Sequence, residues 1–128
     1  MNLLLDTHVF LWLQSSPERL GDHLAVVEDR SNDLTVSAAS AWEIAIKYEI
    51  GRLSLPEAPS RYVPGRIRAI GARALPVEHS HALAVASLPA LHRDPFDRLL
   101  VAQAQLEDMT ILTVDRAVAR YAVASILA

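Results

Sequence analysis

The sequence predicts an α/β domain in which a central, mainly parallel sheet of about four to five strands carries helices on both faces. Three observations lead there. Short apolar runs of strand length alternate with longer stretches of helical spacing, the order that βα units produce. The strand-like runs are apolar throughout rather than every second residue, as expected for strands covered on both sides. Finally, 128 residues of which 52% are hydrophobic supply one core, and therefore one domain spanning residues 1–128.

Each element has a local reason. Asn2 to Leu5 reads as a buried strand ending at Asp6, and Thr7 to Gln14 has helical spacing until Ser15-Ser16-Pro17 breaks it. Asp22 is a natural cap for a helix to about Arg30. Leu34 to Ser37 then reads as a second strand, and Ala38 to Ile50 as a long helix closed by Gly51. Arg61 to Ala72 has helical character, with Pro64-Gly65 expected to break or restart it. Leu75 to Val77 is a candidate third strand, and Ser80 to Ser87 a short helix ended by Pro89. Asp94-Pro95 opens a helix to about Asp108, with Asp94 as N-cap and Pro95 at the first helical position, where its missing N–H costs nothing. Thr110 to Val114 reads as a strand running into Asp115 and a helix, and Val123 to Leu127 as a fifth strand.

Composition narrows the chemistry. The chain has no cysteine, which removes disulfides, thiolate zinc sites and cysteine nucleophiles and fits a reducing, cytoplasmic setting. No signal peptide is expected, because Asp6 interrupts the apolar N-terminus, and no apolar run reaches the roughly 20 residues of a membrane span. The net charge of -3 argues against a broadly basic, nonspecific nucleic-acid binder. It conceals a basic middle, since residues 44 to 76 carry six bases and two acids.

Ligands of parallel sheets bind beyond the carboxyl ends of the strands, so acids at strand ends are the informative ones. Asp6 follows the first strand and Asp115 the fourth. Glu43 lies within the apolar run Ala41-Trp42-Glu43-Ile44-Ala45-Ile46, where a charge on a core-facing surface needs a binding partner. Asp97 lies in the first turn of the Asp94-Pro95 helix. One crevice can hold all four, although each acid taken alone also suits helix capping or a solvated face. Two carboxylates ~4 Å apart repel by about 4 kcal/mol at an effective dielectric near 20. Such a cluster either retains protons or binds a hard divalent cation, and an all-oxygen donor set favours Mg²⁺ or Mn²⁺. Metal-assisted attack of water on a phosphodiester is the chemistry that follows. Thr7, Ser37 and Thr113 stand beside the same strand ends as supporting hydroxyls, with capping the alternative role for Ser37.

Together the residues carry a resemblance. Leu3-Leu4-Leu5-Asp6-Thr7, Trp42 to Lys47 (WEIAIK) followed by Gly51-Arg52-Leu53, His92 to Gln103 (HRDPFDRLLVAQ) and Leu112 to Asp115 (LTVD) resemble, in order and over nearly the whole chain, a PIN-domain ribonuclease, nearest the VapC-type toxins of VapBC toxin–antitoxin systems. The resemblance implies a PIN-like three-layer α/β/α fold. It also implies an endoribonuclease acting on RNA such as a tRNA or rRNA, with one or two Mg²⁺ or Mn²⁺ ions held by Asp6, Glu43, Asp97 and Asp115. Asp115 matches the family's most variable acid, and Asp94 an acid that caps the helix or contacts metal at a distance. A VapB-type antitoxin and a homodimer are the implied partners. Two other classes stay open: a catalytically silent binding module of the same fold, and a phosphoaspartyl or receiver-like domain, whose second acid beside the first is missing after Asp6.

Lys47, one turn after Glu43, is placed to pair with it or with a phosphate. Arg66 and Arg68, in the basic segment Arg61 to Arg73, and Arg98 and Arg116, beside the acids, are candidate RNA contacts. His79 and His81 are read as solvated, and His8 and His92 as near the site without a partner. Trp12 and Trp42 are read as core or dimer-interface residues rather than base-stacking platforms.

Overall fold

The computed structural model describes residues 1–127; Ala128 lies outside the described residues. Five strands, β1 (Asn2–Leu5), β2 (Asp33–Ser37), β3 (Arg73–Leu75), β4 (Thr110–Thr113) and β5 (Ser125–Leu127), form one sheet in the order β3-β2-β1-β4-β5. Every neighbouring pair is parallel, with Leu5 opposite Val36 on one side and Leu112 on the other. Among the described residues, seven α-helices connect and cover the strands: α1 (Thr7–Ser15), α2 (Leu24–Glu28), α3 (Ala38–Glu49), α4 (Pro59–Ala69), α5 (His79–Ala84), α6 (Pro95–Leu106) and α7 (Arg116–Ala119).

The central strand explains the layering. Leu3, Leu4 and Leu5 are completely buried, yet they serve different cores, because successive strand side chains point to opposite faces. Leu3 and Leu5 pack with Val9 and Phe10 of α1, Val27 of α2 and Tyr62 and Val63 of α4. Leu4 packs on the other face with Leu100, Val101 and Ala104 of α6 and Val118 of α7. Helix α3 contributes Ile44 to the first core and Ala39 to the second, bridging the layers. Among the described residues no helix is long and apolar enough to cross a membrane.

The differences from expectation lie where the pattern is short or contains proline. The segment from Asp22 to Arg30 is not one helix: Pro17–His23 form a 3₁₀ turn, kinked at Gly21 with φ of 56°, before the five-residue α2. Helix α4 runs through Pro64 unbroken. The carbonyl that Pro64 fails to pair belongs to Ser60, an exposed first-turn residue open to water, so the lost bond costs little. Strand β3 lies at Arg73–Leu75 rather than Leu75–Val77, since Pro76 has no N–H for the ladder. Helix α5 gives way to a 3₁₀ turn at Val85–Ser87. Helix α4 also ends at Ala69 rather than Ala72, and the remaining ends agree within about two residues.

Candidate metal centre at the carboxyl edge

In the order β3-β2-β1-β4-β5, the chain leaves the central strand in one direction for β2 and in the other for β4. The crevice beyond β1 and β4 is therefore the topological switch point, where parallel sheets bind their ligands. Asp6 and Asp115 flank it.

Asp6 is fixed by three elements. It caps α1 with Oδ1, accepting from the Val9 N–H at 2.8 Å; its Oδ2 accepts from the Val114 N–H at 3.1 Å; and its own N–H donates to the Leu112 carbonyl at 3.0 Å. Burial pushes its carboxyl above the ordinary range, opposed by hydrogen bonds from Thr113, Val9 and Val114. Glu43, in the second turn of α3, is only 2% exposed. Lys47 donates to its Oε2 at 2.6 Å, while Oε1 is buried with no partner. An unpaired buried carboxylate oxygen is costly, and this one lies among other acids.

Asp97, at the third position of α6, is where the acids meet. Its carboxyl is pushed up to about 7, first by burial, then by the negative charges of Asp94 and Glu43, with a smaller contribution from Asp6 and relief from His92. Asp94 caps α6, accepting from the N–H groups of Phe96 and Asp97. Asp115 caps α7 through the Ala117 N–H. Its own N–H donates to Thr113 Oγ1, so that threonine touches both strand-end acids. The structure thus gathers Asp6, Glu43, Asp97 and Asp115, with Asp94 and Thr113 holding the frame.

His92 was not expected to find a partner. Its Nε2 lies 2.9 Å from Asp97 Oδ2 and 2.8 Å from Asp115 Oδ2, and its Nδ1 accepts from the Asp94 N–H at 3.3 Å. The imidazole bridges two acids of different helices. A signal was present in the sequence: His92 stands two residues before the Asp94 cap, in the loop that the Asp94-Pro95 helix start brings to the crevice.

Other expected residues are placed elsewhere. Thr7 donates to Ser40 Oγ at 2.9 Å, tying α1 to α3. Ser37 caps α3 through the Ala39 N–H and donates to Gln103 Oε1, away from the acids. Arg98 spends its guanidinium on the carbonyls of Val85, Pro89 and His92 and on the Tyr121 hydroxyl, where it braces the loop before α6. Arg66 donates to Gln14 Oε1 at 2.7 Å; Arg68 and Arg116 are exposed. His79 is exposed as expected, but His81 is buried, because Nδ1 accepts from the Glu78 N–H and Nε2 faces Glu107. Trp12 packs partly buried against the first core, with the Arg19 guanidinium 3.9 Å from its ring. Trp42 lies outside both cores, at 61% exposure.

The donor set suits a hard divalent cation. It offers two buried carboxylates, Asp6 just after β1 and Glu43 of α3, a partly buried one from Asp97 of α6 and a more exposed one from Asp115 before α7, and one Glu43 oxygen lacks any other partner. Among the described residues, His92, Asp97 and Asp115 each bring one possible ligand atom within 4.8 Å of the others.

Fold and site together define a class: a three-layer parallel α/β domain with an acidic, cation-ready crevice at its switch point. The PIN domain family model matches residues 3–124, and the chain belongs to that family. Over 118 residues, 89% of this chain and 87% of the relative, it is 29% identical to Ribonuclease VapC22 of Mycobacterium tuberculosis. It is 51% identical over 57 residues to Ribonuclease VapC16 of the same organism, a match spanning 44% of this chain and only 40% of that protein. Among solved structures, VapBC2 from Rickettsia felis bound to a DNA fragment from its promoter superposes with a TM-score of 0.74 at 14% identity, covering 99% of this chain and 98% of the other. FitAcB from Neisseria gonorrhoeae does so at 0.64 with 20% identity, covering 97% and 96%. At such identities the likeness is one of fold.

Proposed function

We propose that the protein is a divalent-metal-dependent endoribonuclease, the toxin of a VapBC-type pair, acting in the cytoplasm. The observation that carries this reading is the frustrated acid cluster: Glu43 Oε1 buried without a partner, beside an Asp97 whose carboxyl is pushed to about 7. A fold does not ordinarily keep such an arrangement unless a ligand relieves it. The ribonuclease names of the relatives in Mycobacterium tuberculosis support the reaction class.

Asp6, Glu43, Asp97 and Asp115 are the residues that would hold one or two Mg²⁺ or Mn²⁺ ions. When bound, such an ion neutralises the carboxylates and the phosphodiester and makes the attacking water more acidic. The chain's own groups supply the rest. Backbone N–H donors fix Asp6, so its carboxylate does not reorganise on binding. Lys47 donates to one oxygen of Glu43 and, being partly exposed, also presents an ammonium to a phosphate. His92 holds Asp97 and Asp115 at a set separation. The proton that Asp97 retains up to about pH 7 must leave before it ligates, so cation affinity rises with pH. Exposed Arg68 and Arg116 are candidate contacts for the RNA backbone, with Arg66 a weaker one because Gln14 already holds it.

The partner assignments belong to the same proposal. An apolar groove of about 760 Å³ between α3, α4 and β3, lined by Ala41, Ala45, Val63 and Ile67 among others, offers a VapB-type antitoxin segment a surface to bury, and a homodimer is expected. The solved structures of VapBC2 and FitAcB concern such pairs.

RNA cleavage with Mg²⁺ or Mn²⁺, with EDTA, and with Asp6→Asn and Asp97→Asn tests the reading. Metal-dependent cleavage that falls by at least about a hundredfold in both variants is expected. Equal cleavage by wild type and variants, or cleavage indifferent to EDTA, overturns it.

A further inference from the structure

His92 brings an imidazole into the acid crevice, and its neighbours locate its proton. Nε2 lies 2.8 Å from Asp115 Oδ2 and 2.9 Å from Asp97 Oδ2, while Nδ1 accepts from the Asp94 N–H at 3.3 Å. A neutral imidazole carries one N–H and one bare nitrogen. The nitrogen that accepts is the bare one, so the proton sits on Nε2, between the two carboxylates.

The ring is not free to exchange these roles. Asp94 is committed as the cap of α6, its Oδ1 accepting from the Phe96 and Asp97 N–H groups, which fixes the residue whose N–H faces Nδ1. Arg98 braces the loop from the other side, donating to the carbonyls of Pro89 and Val85 at 3.1 Å. Moving the proton to Nδ1 would set N–H against N–H. A histidine that ligates a metal has the opposite arrangement: it gives a bare nitrogen to the ion and donates its other N–H to a carboxylate, a carbonyl or water. His92 therefore has the wrong partner for a ligand, although its closeness to Asp97 and Asp115 is that of a ligand set.

The same closeness has another consequence. At such N···O distances the hydrogen stands about 1.9 Å from the oxygen it faces, and Mg²⁺ stands about 2.1 Å from a ligand oxygen. A proton donor and a cation bridging Asp97 and Asp115 compete for one position. We infer that the Nε2–H of His92 fills the place between Asp97 and Asp115 that a second divalent cation would take, so that the crevice loads a single ion. This rests on the metal-dependent reading above and narrows its one or two ions to one. It also divides the four acids. Asp6, Glu43 and Asp97 remain for the ion: Glu43 Oε1 is buried and unpaired, and neither short contact of His92 Nε2 involves Asp97 Oδ1. Asp115, whose side chain is 38% exposed, is the acceptor that holds the imidazole.

The test is a Mn²⁺ titration of the full chain at about pH 8, where carboxylate ligands are ionised, with free Mn²⁺ counted by electron paramagnetic resonance. Wild type is expected to bind one ion per chain, His92→Ala two, and His92→Ala combined with Asp115→Asn one again. Nitrogen-15 NMR of the imidazoles, with His92 assigned by its absence from His92→Gln, is expected to show Nε2 protonated and Nδ1 bare both in EDTA and in saturating Mg²⁺. Thermal melts show whether the variants fold, and the wild-type ion count and imidazole spectrum decide the matter even if His92→Ala does not. Two ions in wild type overturn the inference, as do one ion in a folded His92→Ala, a second ion that survives Asp115→Asn, or an Nε2 that loses its proton when Mg²⁺ is added. One ion bound with no RNA cut leaves the inference standing and removes the ribonuclease reading. Two ions with RNA cut do the reverse, and no ion bound removes both.

Discussion

Two clusters of polar side chains lie inside this fold, and they have opposite character. In the first, Ser37 donates to Gln103 Oε1, Gln103 Nε2 donates to the Pro76 carbonyl at 3.2 Å, and His81 accepts from the Glu78 N–H at 2.9 Å while facing Glu107 Oε1 at 2.8 Å. Its donors and acceptors match, and it joins the end of β2 to α5 and α6. In the second, at the carboxyl edge, acids crowd together, Glu43 Oε1 has no partner and Asp97 is driven toward neutrality. Each cluster contains a histidine facing carboxylates. What separates them is satisfaction: the first network holds structure, and the second keeps crowded charge and a buried oxygen that no group among the described residues pairs. A polar cluster is marked as functional by what it leaves unsatisfied, more than by which residues it contains.

Mutations can test that contrast. The largest effect is expected from Gln103→Leu, which keeps the volume of a fully buried side chain but strands the groups around it. Urea unfolding should show a loss of about 3 kcal/mol; a change below about 1 kcal/mol would mean the network holds little. Next comes the cation. Mg²⁺ at a hundredfold excess over its dissociation constant should stabilise wild type by about 2.7 kcal/mol in thermal melts, and Asp97→Asn should lose most of this gain.

Third, in EDTA, Asp97→Asn should be more stable than wild type at about pH 8, by about 1 to 2 kcal/mol, a fraction of the full shift because the crevice relaxes. The folded carboxyl titrates near 7 and the unfolded one near 3.8. Folding therefore favours the protonated form, and its stabilisation is complete below the unfolded value and lost as pH rises through about 7. The difference between variant and wild type should vanish near pH 3.5. A destabilised variant at pH 8 would show that the acid cluster is structural after all. The smallest effect belongs to Glu107→Ala, about 1 kcal/mol in the same unfolding assay, since Glu107 is 41% exposed and water can replace it beside His81.

Much of this was legible in advance wherever the cause is local. Asp94-Pro95 opens α6, and Asp6, Ser37 and Asp115, at or just past strand ends, each cap the next helix, because a cap is decided by one side chain and the two or three N–H groups after it. The parallel sheet was legible because strands buried on both faces need apolar residues throughout. The prediction failed where a distant partner decides. His81 looked solvated in the polar run Glu78 to His81, and its burial depends on Glu107 and Gln103, more than twenty residues away. For Arg98, a candidate RNA contact, nothing in the sequence signals that the loop before α6 folds back to offer its guanidinium carbonyls. Trp42, read as core or dimer-interface, lies outside both cores, because an apolar stripe says that a helix buries a face but not how wide that face is.

The sequence by itself determined most of the elements, the caps at Asp6, Ser37, Asp94 and Asp115, and the acids at strand ends, since these follow from side-chain periodicity and short-range hydrogen bonding. The tertiary structure alone decided that β1 and β4 are neighbours, which brings Asp6 and Asp115 to one crevice, that His92 spans Asp97 and Asp115, and that Trp42 is left exposed. Such facts depend on which surfaces meet, and hydrophobic burial, being non-directional, drives surfaces together without naming the partner.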